Sequence, residues 1–100
     1  MTESQTFDDL LLNVLRSGLK EVMGESAARA MGFYVDPHIA LRNIREYEAA
    51  LRKIFGEGAA LLERKCAEKL YAALKLPAPS PQNMTLAGCV LDAKSRLGLL

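Results

Sequence analysis

The sequence contains two closely similar segments, LKEVMGESAA at residues 19–28 and LRKIFGEGAA at residues 51–60. In both, an apolar helical pattern stops at a glycine and resumes at a glutamate that small residues follow. Glycine commonly ends a helix because it adopts the left-handed conformation without steric penalty. The similarity also extends upstream of these segments. It therefore predicts an internal repeat of residues 12–28 and residues 44–60, in which each copy is a helix–glycine–helix corner.

Apolar residues at helical spacing around the two corners predict an all-α fold with five to six short helices. The first helix should follow an N-cap at Thr6 and end in a left-handed cap at Gly24. A second, alanine-rich helix should run from Glu25 to Met31. Residues 32–35 break the pattern, and are predicted to be either extended or the frayed end of this helix.

Two further helical stretches are predicted before the prolines near the end of the chain. The first starts at Asp36 and Pro37, because aspartate caps a helix and proline suits its first turn, with an interruption at Asn43. The second occupies residues 59–76, with Glu63 and other charged residues on its polar face.

Three prolines within residues 77–81 predict a stiff linker, because proline is poorly tolerated inside a helix. Residues 84–97 predict a last helix beyond it. We therefore expect a helical domain at residues 1–76. The segment 77–100 should pack on the same domain or on a second copy.

The composition indicates a small single domain with more leucine and alanine than its own core can cover. This excess predicts a homodimer or a docked protein partner. The net charge of +1 gives no field strong enough to indicate a nucleic acid or a membrane. Two cysteines, no signal-peptide pattern and no long apolar run predict a cytoplasmic protein with reduced thiols and no membrane span.

The second corner and its surroundings, YEAALRKIFGEGAALLE at residues 47–63 and KLY at 69–71, resemble small archaeal output domains of signal-transduction chains. These all-helical modules are of the nitrosopumilus output-domain type. MGESA at residues 23–27 fits the first half of the pattern, so the resemblance covers about residues 12–76. It implies a helical regulatory or interaction domain without catalytic residues to carry over, and leaves 77–100 outside the pattern.

Few residues suit catalysis or metal binding. His38 is the single histidine, and Cys66 lies on an apolar stripe, where a small buried side chain is the simpler interpretation. Cys89 has no basic cluster nearby in sequence to lower its pKa, and the spacing of these three residues does not match a zinc site. We therefore predict no catalytic residue, no metal and no cofactor.

Apolar residues at a helix break and at the chain end are the candidates for a protein interface. The apolar cluster at the helix break, residues 33–35, either fills the core between the two corners or, if exposed, provides interface anchors. The terminal leucines are expected to dock on their own domain or on a second copy. The candidates are Phe33, Tyr34, Val35, Leu97, Leu99 and Leu100.

The alternative is a DNA-binding transcriptional regulator that uses the basic second half of the chain. The residues that would enter the major groove are acidic or too small to reach bases, so weak phosphate contact is expected. The candidate contacts are Arg42, Arg45, Arg52, Lys53, Arg64, Lys65 and Lys69. The sequence therefore favours a non-enzymatic regulatory or protein-interaction module.

Overall fold

A computed structural model of the chain describes residues 3–77 and 85–99, and every regular element in them is helical. This confirms the predicted all-α fold, with five helices of ten or more residues and one short helical turn. A 3-10 turn, Gly56–Gly58, joins the fourth and fifth elements. The α-helices are α1 (Glu3–Met23), α2 (Glu25–Tyr34), α3 (Ile39–Arg42), α4 (Ile44–Phe55), α5 (Ala59–Ala73) and α6 (Leu86–Arg96).

The core lies between α1 and α5, which form the most extensive helix pair, and α4 and α6 close it from the side of α5. Each of these helices contributes apolar side chains spaced three or four residues apart, the spacing that aligns them on one helix face. The largest apolar side chains that are fully buried are Leu11, Leu15, Tyr47, Leu51, Leu62, Leu70, Leu86 and Val90.

The two predicted corners exist, but they are built differently. Gly24 and Gly56 both have positive φ angles, 88° and 56°, which disfavour any residue with a side chain. Their ψ angles of 163° and −128° place both outside the left-handed helical region, so the left-handed cap predicted at Gly24 is wrong. The first corner is a single residue, whereas the second continues through the 3-10 turn, so that α5 starts only at Ala59.

Several predicted boundaries are wrong by a few residues. The first helix already starts at Glu3, so Thr6 lies inside it and is not its N-cap. The second helix continues past Met31 to Tyr34, so residues 32–34 form its end, which is one of the two predicted alternatives, and Val35 is extended. The interruption at Asn43 is confirmed, and its side chain caps α4 by accepting a hydrogen bond from the Glu46 N–H at 3.2 Å.

The last helix is shorter than predicted and starts at Leu86 rather than at residue 84. Thr85 is its N-cap, and its hydroxyl accepts a hydrogen bond from the Gly88 N–H at 3.0 Å. Residues 78–84, which include most of the predicted linker, lie outside the described residues. The helix packs on α4 and α5 of its own chain.

The pairing of α1 with α5 depends on a glycine that faces a cysteine. A Cβ atom built on Gly18 would lie 2.6 Å from the Sγ of Cys66, which is well inside van der Waals contact. Any side chain at residue 18 would therefore push the two central helices apart.

We expect Gly18→Ala to lower the free energy of unfolding by ~1–3 kcal/mol, because overpacking outweighs the better helix propensity of alanine. Adding Cys66→Ala, which removes the sulfur, should recover part of this loss. Gly32→Ala is the control, because a Cβ there meets no atom within 4 Å. This control should gain up to ~1 kcal/mol. Urea denaturation followed by circular dichroism measures all four chains, and an equally stable Gly18→Ala protein would contradict the prediction.

Candidate functional site

The most exposed large apolar side chains of the described chain lie at the end of α2. Phe33 is 87% and Tyr34 is 79% exposed, and α2 has no buried residue along its length. They therefore do not fill the core between the corners. We call the solvent-facing side of this helix the α2 outer face; its residues are Ser26, Ala27, Ala30, Phe33 and Tyr34.

Val35, the third residue of the predicted apolar cluster at residues 33–35, does not belong to this surface. Only 5% of it is exposed, and it packs in the core. The reason is that the chain leaves the helix there in an extended conformation, with φ −133° and ψ 102°, which turns the side chain inward. The candidate interface at the helix break is therefore reduced to Phe33 and Tyr34.

The candidate residues at the chain end separate in a similar way. Leu97 is exposed, whereas Leu99 is half-buried against the core. A Schellman turn explains this, because the Leu99 N–H donates to the Lys94 carbonyl at 2.8 Å and folds the chain back. Leu100 lies outside the described residues.

Three of the seven candidate nucleic-acid contacts are held in ion pairs. Lys65 and Lys69 both contact Glu21, with the Lys65 Nζ 3.4 Å from a carboxylate oxygen, and thereby link α5 to α1. Arg52 contacts Glu48 and Glu63. The other four are exposed on the helices that carry them: Arg42, Arg45, Lys53 and Arg64.

A buried pair of carboxylates, Glu48 of α4 and Glu63 of α5, is the polar feature that the sequence did not reveal. Glu63 is 2% and Glu48 is 7% exposed, so the prediction of Glu63 on a polar face is wrong. Arg52, one turn after Glu48, bridges the pair and donates from Nε to Glu63 Oε2 at 3.1 Å. A buried carboxylate requires such partners, because burial without them is costly.

The carboxylate pair also receives the first turn of α6. The Leu86 N–H donates to Glu63 Oε1 at 3.2 Å, and the Ala87 N–H donates to Glu48 Oε2 at 3.1 Å. Together with the Thr85 cap, these bonds satisfy backbone groups that a helix N-terminus leaves without intrahelical partners. The positive end of the α6 dipole also favours negative charge at this position.

A second polar contact, near the middle of α6, also holds α6 against α5. The buried Tyr71 hydroxyl donates a hydrogen bond to Asp92, which also accepts one from Arg96 Nε at 2.8 Å. These two donors lower the pKa of Asp92, with the tyrosine as the larger cause. Burial raises the pKa of Tyr71 above its usual range.

The environment of the carboxylate pair makes Glu48 hold its proton more tightly than a free glutamate does, because its pKa is raised. Burial raises the pKa of Glu48 above its ordinary value of 4.5, and the neighbouring Glu63 raises it further. All four carboxylate oxygens contact Arg52 or the first turn of α6. Through these contacts the pair joins α4, α5 and α6.

The sulfur and imidazole groups show no arrangement for nucleophilic chemistry. Burial raises the pKa of the Cys66 thiol to about 12 and also raises that of Cys89. His38 is exposed, and its Nδ1 lies 2.8 Å from Asp36 Oδ1, at the turn before α3. Among residues 3–77 and 85–99, no group of three histidine, cysteine, aspartate or glutamate side chains could hold a metal ion.

A cleft of about 420 Å³ separates α1 from α2 on the side opposite the α2 outer face. Leu19 and Val35 form part of its apolar lining, and Arg16, Lys20 and Arg29 stand around it. Its volume is within the range of small-molecule pockets.

Comparison with protein-family models, with curated proteins and with solved structures finds no match to this chain. The resemblance to archaeal output domains therefore stays a prediction. No helix in the described part of the chain is long and apolar enough to cross a membrane.

The raised pKa of Glu48 gives the folded protein a defined pH dependence. Because the native state holds this proton more tightly than the unfolded state, the free energy of unfolding should fall as pH rises from 4.5 toward neutrality. Glu48→Gln retains a donor and an acceptor without charge, so it should remove this fall. Chemical denaturation at a series of pH values tests this, and parallel profiles for the two proteins would contradict it.

Glu63→Gln is the matched variant for this test. It removes one of the two carboxylates that Arg52 contacts, so we expect it to lower the free energy of unfolding at neutral pH by roughly 1–3 kcal/mol. A protein as stable as Glu48→Gln would mean that the two carboxylates are interchangeable.

Proposed function

We propose that this chain is a non-enzymatic regulatory or protein-interaction module that works in the cytoplasm as a homodimer and binds protein through an apolar helical surface. The observation that carries the proposal is the exposure of Phe33 and Tyr34 on a helix with no buried residue. The resemblance to signalling output domains agrees with such a role.

The two adjacent aromatic side chains are costly to leave in water, because apolar surface gains free energy when it is buried. Aromatic residues are also enriched among those that carry the binding energy of protein interfaces. The Phe33 and Tyr34 side chains extend from a helix that packs chiefly on α1, so a partner can reach them without unfolding the core. An interface therefore explains their exposure better than a role in folding.

Two features support the absence of an enzymatic role. The carboxylates of Glu48 and Glu63 are engaged by Arg52 and α6, as described above. The two thiols are buried, and their raised pKa values keep them protonated and unreactive at neutral pH.

The DNA-binding alternative receives less support. The ion pairs of Arg52, Lys65 and Lys69 with glutamates reduce the positive charge that a phosphate backbone would meet. Binding to duplex DNA at low salt that weakens as salt is added would favour this alternative.

A photo-crosslinking phenylalanine analogue at Phe33 tests the interaction surface. We expect irradiation in extract of the native cells to attach protein at residue 33, because this ring lies in the proposed interface. The control carries the same analogue at Ile54, an exposed apolar residue of α4. Excess unlabelled wild-type chain should compete, whereas excess Phe33→Ser/Tyr34→Ser chain should not.

The double variant should retain its fold, with a free energy of unfolding within about 0.5 kcal/mol of the wild type, since both residues are exposed. Thermal denaturation checks this requirement. Equal labelling at residues 33 and 54, or no protein adduct at residue 33, would contradict the proposed function.

A further inference from the structure

The α2 outer face has the size pattern of a surface that pairs with itself. Its first half carries only small side chains, Ser26, Ala27 and Ala30, and its second half carries two large ones, Phe33 and Tyr34. We propose that this face binds a second copy of the chain, with the two α2 helices antiparallel and Ala30 at the twofold axis. This inference rests on the proposed function and names its partner and geometry.

The antiparallel direction follows from the order of small and large residues. With Ala30 at the axis, Phe33 of one copy lies opposite Ala27 of the other, and Tyr34 lies opposite Ser26. Large side chains then fill the space above small ones, which is how helices interdigitate at close distance. A parallel pair would place Phe33 against its own copy and leave a gap between the halves with small residues.

Symmetry and electrostatics favour the same arrangement. A twofold axis uses one patch on both copies, so every contact is made twice. Antiparallel helices also bring the positive end of one dipole beside the negative end of the other. Glu25 and Arg29, which flank the face, form an ion pair within one copy, with Arg29 Nη2 3.5 Å from Glu25 Oε1. They therefore bring no uncompensated charge to the interface.

The available area suits a reversible dimer. A buried aromatic side chain accounts for ~150–250 Å². Two copies of Phe33 and Tyr34 would therefore supply roughly 600–1,000 Å² of the ~1,200 Å² that the smaller specific interfaces bury. The small residues between them add the rest, so dimerisation should depend on concentration in the micromolar range.

Light scattering after size-exclusion chromatography measures the dimer over a series of concentrations. The wild-type mass should rise toward twice 11.0 kDa as the concentration increases. Ala30→Glu places two like charges at the axis and should raise the dimer dissociation constant by roughly a hundredfold or more. Ala49→Glu is the control, an exposed alanine in the middle of α4, and it should dimerise as the wild type does.

Single cysteines determine the direction of the pair. Ala30→Cys should form a disulfide between copies under mild oxidation, because residues at the axis lie within the ~7 Å limit for Cα atoms. Ser26→Cys should not, because in the antiparallel pair its copy lies ~12 Å farther along the helix axis. The wild type is the control, since Cys66 and Cys89 are buried. Crosslinking of both variants would indicate a parallel pair and overturn the proposed direction.

The remaining outcomes separate this inference from the proposed function. A dimer that Ala30→Glu leaves intact places the interface elsewhere and overturns the inference. A chain that stays monomeric, yet is photo-crosslinked at residue 33 to a different protein, overturns the inference and the proposed homodimer but leaves the proposed protein-interaction role standing. A monomer without any adduct at that residue overturns both.

Discussion

The fold depends on two glutamates that are buried side by side. Glu48 and Glu63 come from different helices, and each accepts a hydrogen bond from a helix other than its own. Arg52 supplies one set and the first turn of α6 supplies the other. Removing either set would leave buried negative charge without compensation, which is far more costly than losing a surface ion pair. The last helix is therefore an electrostatic component of the core as well as an apolar one.

The helical architecture could be predicted from the sequence, because apolar spacing and the residues that end or cap helices are local signals. Gly24 and Asn43 interrupt helices where predicted, since glycine tolerates positive φ and asparagine can cap. The contact between the buried carboxylate pair and α6 could not be predicted from the sequence. In the sequence Glu63 is one charged residue of a charged run, and its burial depends on α6, which lies more than twenty residues later. No local pattern records which carboxylate a distant helix N-terminus will reach.

The near-repeat shows how far tertiary context can separate similar sequences. Both corners end a helix at glycine and restart with small residues, yet α5 buries seven residues and α2 buries none. The helix of the second corner is enclosed by α1, α4 and α6, whereas that of the first packs chiefly on α1. The same environment explains why Phe33 and Tyr34 are exposed while Val35, where the chain leaves the helix, is buried. Sequence similarity between the corners therefore predicts where each helix ends, but not the local geometry of the corners or their surroundings.

The contact between α6 and the carboxylate pair has a consequence for synthesis on the ribosome. Residues 3–77 emerge first, with both glutamates in place but without the backbone N–H groups that complete them. Because domains generally fold as units, the packing around these two carboxylates can be completed only after α6 has left the exit tunnel. Protection from proteases would then appear only when α6 packs on the core.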